Sequence, residues 1–370
     1  LLGHLIGDGC TLPRHAIQYT TREPALAEMV AALAAAVFGD QVQPRIRPER
    51  TWYQVYLAAT RHLTHGTRSP VSVWLDELGA WGLRSYEKRV PERVFQQDSA
   101  GIATFLRHLW STDGCIRMTW GKRPRPAIYY ATSSERLARD VQSLLLRLSI
   151  TATLRRTAQG DKGRPQYHVI VTGRDDVLRF TDQIGAPTDE RLERLREIVA
   201  YLDGREANTN RDIVPQAVWD LHVRPAMSEA AVSHRMLHEG IGTAYSGMTI
   251  FKQNLSRERA SRVAAATHST ELQNLAVSDV YWDQIIAITP DAVEEVFDLT
   301  VPGPHNFIAN DIIVHNSIEQ DADVVMFIYR DDYYNPDNSE RPNIAEINVA
   351  KHRNGPPGSI DLFWHRKLAT

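Results

Sequence analysis

The stretch Leu1-Leu2-Gly3-His4-Leu5-Ile6-Gly7-Asp8-Gly9-Cys10 decides the fold, because it recurs in kind as Leu106-Arg107-His108-Leu109-Trp110-Ser111-Thr112-Asp113-Gly114-Cys115. Each copy is an apolar helical run that closes on Asp-Gly-Cys. A tyrosine and a helix-start signal follow each: Tyr19-Thr20-Thr21-Arg22-Glu23 in the first, Tyr130-Ala131-Thr132-Ser133-Ser134-Glu135 in the second. Hydroxyls followed by Glu satisfy the free N–H groups of a helix's first turn. Amphipathic helices are expected over 25–38 and 136–148, each followed by a strand pair, at 42–47 with 52–58 and at 151–156 with 166–172. Two units of the same order predict a pseudo-twofold α+β domain over 1–203, with halves of about 1–100 and 101–203.

Outward from that frame, 204–278 reads as short helices starting at Pro215 and Ser256, with an arginine face (Arg257, Arg259, Arg262) that makes the subdomain a candidate for DNA contact. Residues 279–316 change to short β-branched runs (285–288, 296–301, 307–309, 312–314) broken by Pro, Gly and Asn, an all-β segment. In 317–370 the run 322–329 reads as a strand of the buried kind and 344–349 as a second.

With 370 residues, 43% of them hydrophobic, the chain has room for two or three domains. No apolar run approaches the roughly 18 to 20 residues that span a bilayer, and no signal-peptide pattern opens the chain, so a cytoplasmic place and no membrane partner are expected. Cys10 and Cys115 are too few for a disulfide framework or a cysteine zinc site. The net charge of -3 gives no global argument for nucleic acid, so local patterning must decide. Leu1 already lies inside an apolar run, and the chain is expected to be an N-terminally truncated piece.

Two acids at the ends of two helices make chemical sense if the helices pack together and the carboxylates converge. Such a pair can hold Mg²⁺, whose oxygen preference and incomplete protein shell suit phosphodiester hydrolysis. A single Asp-Gly would merely end a helix; the duplication favours chemistry. The strand pairs carry Arg45, Arg47 and Arg50 in one half and Arg155, Arg156, Lys162 and Arg164 in the other. A two-stranded ribbon fits the major groove of double-stranded DNA, where such side chains read base edges and neutralise phosphates.

These paired segments resemble the motifs of LAGLIDADG homing endonucleases, which implies catalytic, metal-binding roles for Asp8 and Asp113. Ser85-Tyr86-Glu87-Lys88-Arg89-Val90-Pro91 is similar to the same family's linker pattern, and by that resemblance Lys88 would polarise the attacking water or the scissile phosphate. His108 stands where the family usually has a small Gly, so looser or more offset helix packing is expected there. The segment 188–197 offers Arg191 and Arg194 but no Lys, which keeps open a second reading: a splicing-only protein whose decayed nuclease is a DNA-binding module.

The stretch from Val296 to Ser317, which includes Asp298, His305 and the terminal Val314-His315-Asn316-Ser317, resembles the C-terminal splicing blocks of inteins, the end of an all-β Hint domain. The resemblance implies that the Asn316 amide attacks its own backbone carbonyl while His315 donates a proton to the leaving amine. His305 and Asp298 would adjust protonation nearby, and Ser317 would be the acyl acceptor. The N-terminal splicing blocks would precede Leu1, so a missing N-terminal intein and helicase portion is an expected partner. Ser317-Ile318-Glu319-Gln320-Asp321-Ala322-Asp323 and Ala350-Lys351-His352-Arg353-Asn354-Gly355 are similar to late motifs of DnaB-type hexameric helicases, a RecA-like α/β fold. By that resemblance Lys351 and Arg353 reach the nucleotide phosphates of a neighbouring subunit in the host hexamer after splicing. No Gly-x-x-x-x-Gly-Lys-Ser/Thr loop occurs in the chain, so ATP is expected only for the intact host helicase.

Overall fold

Both acid-bearing runs fold as helices, and each is followed by a four-stranded antiparallel sheet. The computed structural model describes residues 1–64, 66–160, 163–207, 211–295, 301, 306–315, 324–334, 339, 341–352, 356 and 358–363. They fall into two units, Leu1–Gln284 and Ile285–Thr370.

The first half runs α1 (Leu2–Asp8), β1 (Gly9–Cys10), β2 (Gln18–Thr21), α2 (Pro24–Phe38), β3 (Val42–Glu49), β4 (Trp52–Ala59), α3 (Pro70–Glu77) and α4 (Glu92–Phe95). The second runs α5 (Ser99–Trp110), β5 (Gly114–Thr119), β6 (Arg125–Thr132), α6 (Glu135–Leu146), β7 (Ala152–Thr157), β8 (Gln166–Val171), α7 (Arg174–Arg179) and α8 (Asp189–Leu202). Sheet orders β1-β2-β4-β3 and β5-β6-β8-β7 repeat one topology, so the domain is α+β. Tyr19 and Tyr130, which the sequence reading treats only as preludes to helices, lie in inner strands opposite Gly9 and Gly114. A strand as short as β1 shows no alternation to read.

Local chemistry sets the helix ends. Pro24 opens α2, where a missing N–H leaves no bond unmade. The Asp98 carboxylate accepts the Gly101 N–H at the start of α5, and the Ser134 hydroxyl accepts the Leu137 N–H at the start of α6. On α6, Leu137, Val141, Leu144 and Leu145 form one buried stripe against the sheet. The α1 helix serves two cores at once: Leu5 packs with Leu26 and Val55, and Ile6 with Leu106 and Val169. Gly3 makes this possible, since a Cβ there would lie 2.7 Å from the Leu109 amide nitrogen.

The rest of the first unit is β9 (Ile213–Val214), α9 (Arg224–Glu229), α10 (His234–Gly240), β10 (Leu255–Ser256), α11 (Arg257–Thr267) and α12 (Thr270–Val277), around Trp219, Val223, Phe251 and Val263. Ser256 caps α11 as its position suggests, but Pro215 opens only a turn before a π-helical segment, Trp219–Val223. Much of the arginine face is spent inside the subdomain. Arg257 pairs with Asp212 and donates to the Leu275 and Val280 carbonyls, and Arg262 pairs with Glu258 and donates to the Ile241 carbonyl.

In the second unit β11 (Asn306–Ala309) and β12 (Ile312–His315) form a hairpin whose two turn residues, Asn310 and Asp311, both have positive φ (49° and 64°). That is the type I′ geometry, which matches the strands' twist and suits Asn and Asp. The strand expected at 285–288 is not formed: Ile286 is 93% exposed, and among the described residues nothing pairs with the segment. A lone strand leaves its N–H and C=O groups unsatisfied, so β-branched residues alone do not make one. β13 (Val324–Tyr329), β14 (Ile344–His352) and β15 (Gly358–Phe363) form an antiparallel sheet. β13 is not of the buried kind; Phe327 and Ile328 are exposed, because no covering layer is described within this unit. Among the described residues no helix is long and apolar enough to cross a membrane.

Candidate active site

Asp8 is the last residue of α1, and Asp113 follows α5 in the turn that leads to β5. The helices meet along Gly3 and Gly7; a Cβ on Gly7 would run into the Thr112 side chain. Their packing brings both carboxylates to one open end, each with solvent on one side and protein on the other. Partial burial, reinforced by the charge of Asp113 and opposed by Lys88 and Arg191, pushes Asp8 up to about 7. Asp113 is raised too, by burial, with Lys88 opposing.

Lys88 is buried, and its ammonium donates to the carbonyls of Gly7 (2.8 Å) and Gly9 (3.0 Å), which flank Asp8. Burial lowers its pKa, while Asp8 and Asp113 pull the other way. The second half grips its backbone: Ser134 Oγ donates to the Lys88 carbonyl at 2.6 Å, and the Val90 N–H donates to Asp140 Oδ2 at 2.9 Å. A loop between the halves is thereby fixed against the first acid. Asp140 escaped the sequence reading, although a carboxylate inside the apolar stripe of α6 signals a buried partner.

Beneath the acids, Tyr19 and Tyr130 are fully buried, and neither hydroxyl makes a hydrogen bond of ordinary geometry. His108 does not loosen the helix pair. It faces His4 at 2.9 Å between ring nitrogens, and Ser111 Oγ lies 3.3 Å from the other His4 nitrogen. The second histidine fills the space that a small residue would leave.

Strand register sorts the basic residues. Val55 and Leu57 of β4 point into the core, so Gln43, Arg45 and Arg47 of β3 share the outer face with Gln54 and Tyr56. Arg50 lies in the turn between those strands. In the second half Arg155 is outward beside His168, whereas Arg156 pairs with the buried Tyr167 and falls on the helix-covered face. The sequence reading therefore groups two arginines that the pleat sends to opposite sides. The same alternation puts Arg117 and Arg125, which that reading missed, on the outer face of β5 and β6. Arg164 stacks over Tyr86, 3.5 Å from the ring centroid. Lys162, Asp298, His305, Asn316, Ser317 and Arg353 lie outside the described residues. His315 ends β12 and Lys351 lies in β14, but their side chains are outside them too.

Among the described residues no group of three or more His, Cys, Asp and Glu could hold an ion. What the acids offer is two carboxylates at one end of the helix pair, with Asp8 raised by burial and then by the charge of Asp113. That donor set fits a hydrated Mg²⁺, which keeps several waters and takes one or two carboxylates.

Residues 100–185 match the LAGLIDADG-like domain family, and residues 305–370 match the DnaB-like helicase C terminal domain. One chain thus carries a LAGLIDADG-like match followed by a match to the C-terminal domain of DnaB-like helicases. It is similar to the replicative DNA helicase DnaB of Rhodothermus marinus, 61% identical over 100% of this chain and 40% of that protein. It is also similar to DnaB of Synechocystis, 56% identical over 98% of this chain and 42% of that protein. The chain thus spans about two fifths of the length of the curated relatives it matches. Among solved structures, the homing endonuclease I-DmoI in complex with DNA and Mn aligns at a TM-score of 0.36 and 13% identity, covering 50% of this chain and 94% of that one.

Proposed function

We propose that residues 1–203 are a site-specific, Mg²⁺-dependent endonuclease on double-stranded DNA, and that 279–316 carry out protein splicing or C-terminal cleavage within a cytoplasmic DnaB-type replicative helicase represented by 317–370. The observation that carries the nuclease reading is the convergence of Asp8, Asp113 and the buried Lys88 at one end of the α1–α5 pair. Asp8 and Asp113 would hold the metal, which when bound supplies positive charge against the phosphate and a more acidic water. Lys88, tied to the Gly7 and Gly9 carbonyls on either side of Asp8, keeps one N–H unspent by those bonds, which would orient water or a phosphate oxygen. The outer faces of the two sheets, with Arg45, Arg47, Arg117 and Arg155, contact the duplex.

Splicing draws on Asn316, whose side-chain amide cyclises, on His315 as proton donor and on Ser317 as acyl acceptor, with His305 and Asp298 in support. Lys351 and Arg353 serve nucleotide phosphates only in an assembled helicase. The rival, a decayed nuclease that only binds DNA, draws support from the segment 188–197, which offers Arg191 and Arg194 but no lysine. Incubation with Mg²⁺ and a duplex carrying the uninterrupted helicase coding sequence decides between them. Cleavage by the parent and none by Asp8→Asn or Asp113→Asn is expected; an inert parent with intact DNA binding would favour the rival.

A further inference from the structure

The two halves repeat their topology, but the cation beside each acid-bearing helix is held differently. In the first half Lys88 reaches back 81 residues to the carbonyl of Gly7, at the end of α1. In the second, Arg191 reaches back the same 81 residues to the carbonyl of Trp110, the last residue of α5, at 3.2 Å. The anchors correspond as well. Ser134, which caps α6, bonds the Lys88 carbonyl; Glu23, which holds the N-cap position of α2 without a capping side-chain bond, binds the Arg191 guanidinium. Along the chain, Lys88-Arg89-Val90-Pro91 before α4 is echoed by Ile184-Gly185-Ala186-Pro187 before α8, with Ile184 fully buried where the lysine would stand.

We propose that Arg191 is the second half's counterpart of Lys88, and that its ion pair with Glu23 makes the protein cut the two strands of a duplex at unequal rates, the strand served by Lys88 first. This rests on the nuclease reading above. Lys88 spends two of its three N–H groups on main-chain carbonyls, and the carboxylates whose charge acts on it are Asp8 and Asp113. Arg191 gives Nε and Nη2 to Glu23, at 3.1 and 2.7 Å to Oε1, and Nη1 to Trp110, so its charge is already matched. The pair is largely shielded, with 12% of the Arg191 side chain and 27% of the Glu23 side chain exposed. A guanidinium also never gives up its proton, so it cannot relay one. At either strand one water adds to phosphorus, one P–O ester bond breaks, and the leaving sugar oxygen takes the water's proton, so nothing but water is consumed. The halves differ only in how strongly a cation assists.

The test uses a supercoiled plasmid carrying the uninterrupted helicase coding sequence, the 370-residue chain and Mg²⁺. Nicked circle is expected to accumulate, with the first cut at least tenfold faster than the second. Arg191→Met should slow linearisation about tenfold more than it slows nicking, and Arg191→Lys should restore the parental ratio of the two rates. Affinity for the same duplex in Ca²⁺ and the thermal midpoint report fold and binding apart from cleavage. Linear product formed without a nicked intermediate overturns the inference and leaves the nuclease reading standing. So does Arg191→Met slowing both strands equally, the mark of a structural clasp. A parent that cuts neither strand removes both readings.

Discussion

Acid should unfasten the α1–α5 helix pair from the inside. His4 is fully buried, and its ring shares a single hydrogen bond with His108, so one neutral ring donates and the other accepts. Burial, then the charges of His108 and the N-terminus, would hold His4 down at about 2. Burial, then the N-terminus and Arg107, holds His108 at about 4. Both start from 6.5 in the unfolded chain. Below that value the unfolded state binds protons that the folded state refuses, so stability is complete above 6.5 and falls as pH drops toward the folded values. At about pH 4.5 the solution lies roughly two units below the unfolded value of both rings, which at ~1.4 kcal/mol per unit costs ~5 kcal/mol for the pair. Asp8 works in the opposite sense, since its folded value of about 7 lies above the ordinary 3.8 and protonation favours the fold. Comparison with a His4→Leu/His108→Leu double variant cancels that term. Urea unfolding followed by circular dichroism near pH 7.5 and pH 4.5 should show the parent losing ~5 kcal/mol more than the variant. Losses that agree within about 1 kcal/mol would refute a buried neutral pair.

Three further outcomes are expected. Gly3→Ala would put a Cβ 2.7 Å from the main-chain nitrogen of Leu109, and overpacking of that kind costs roughly 1–3 kcal/mol, read as a lower thermal midpoint. An unchanged midpoint would contradict the close approach of α1 and α5. Replacing Arg45 and Arg155 together by alanine should reduce the slope of log affinity against log salt by about 2, whereas Arg156→Ala, on the covered face, should leave it unchanged. Equal effects would overturn the assignment of faces. Asn316→Ala should stop release of the Ser317–Thr370 peptide, followed by mass spectrometry; release at the parental rate would dismiss the splice-junction reading.

The sequence by itself determined the elements and their duplication. Apolar periodicity, capping residues and the Asp-Gly-Cys endings are local properties of the chain, and they mark α1, α5, α2, α6 and the outer strand pairs. It also marked Asp8 and Asp113 as a pair, and Lys88 through family likeness. Only the tertiary structure decided which partners those residues find. The pleat separated Arg155 from Arg156, and among the described residues no strand pairs with 285–288. Folding set His4 against His108 and tied Lys88 to carbonyls but Arg191 to a carboxylate. Such contacts join residues 81 to 168 positions apart, where no sequence period reaches. Their free energy depends on burial and register, and those exist only once the two cores have closed around α1.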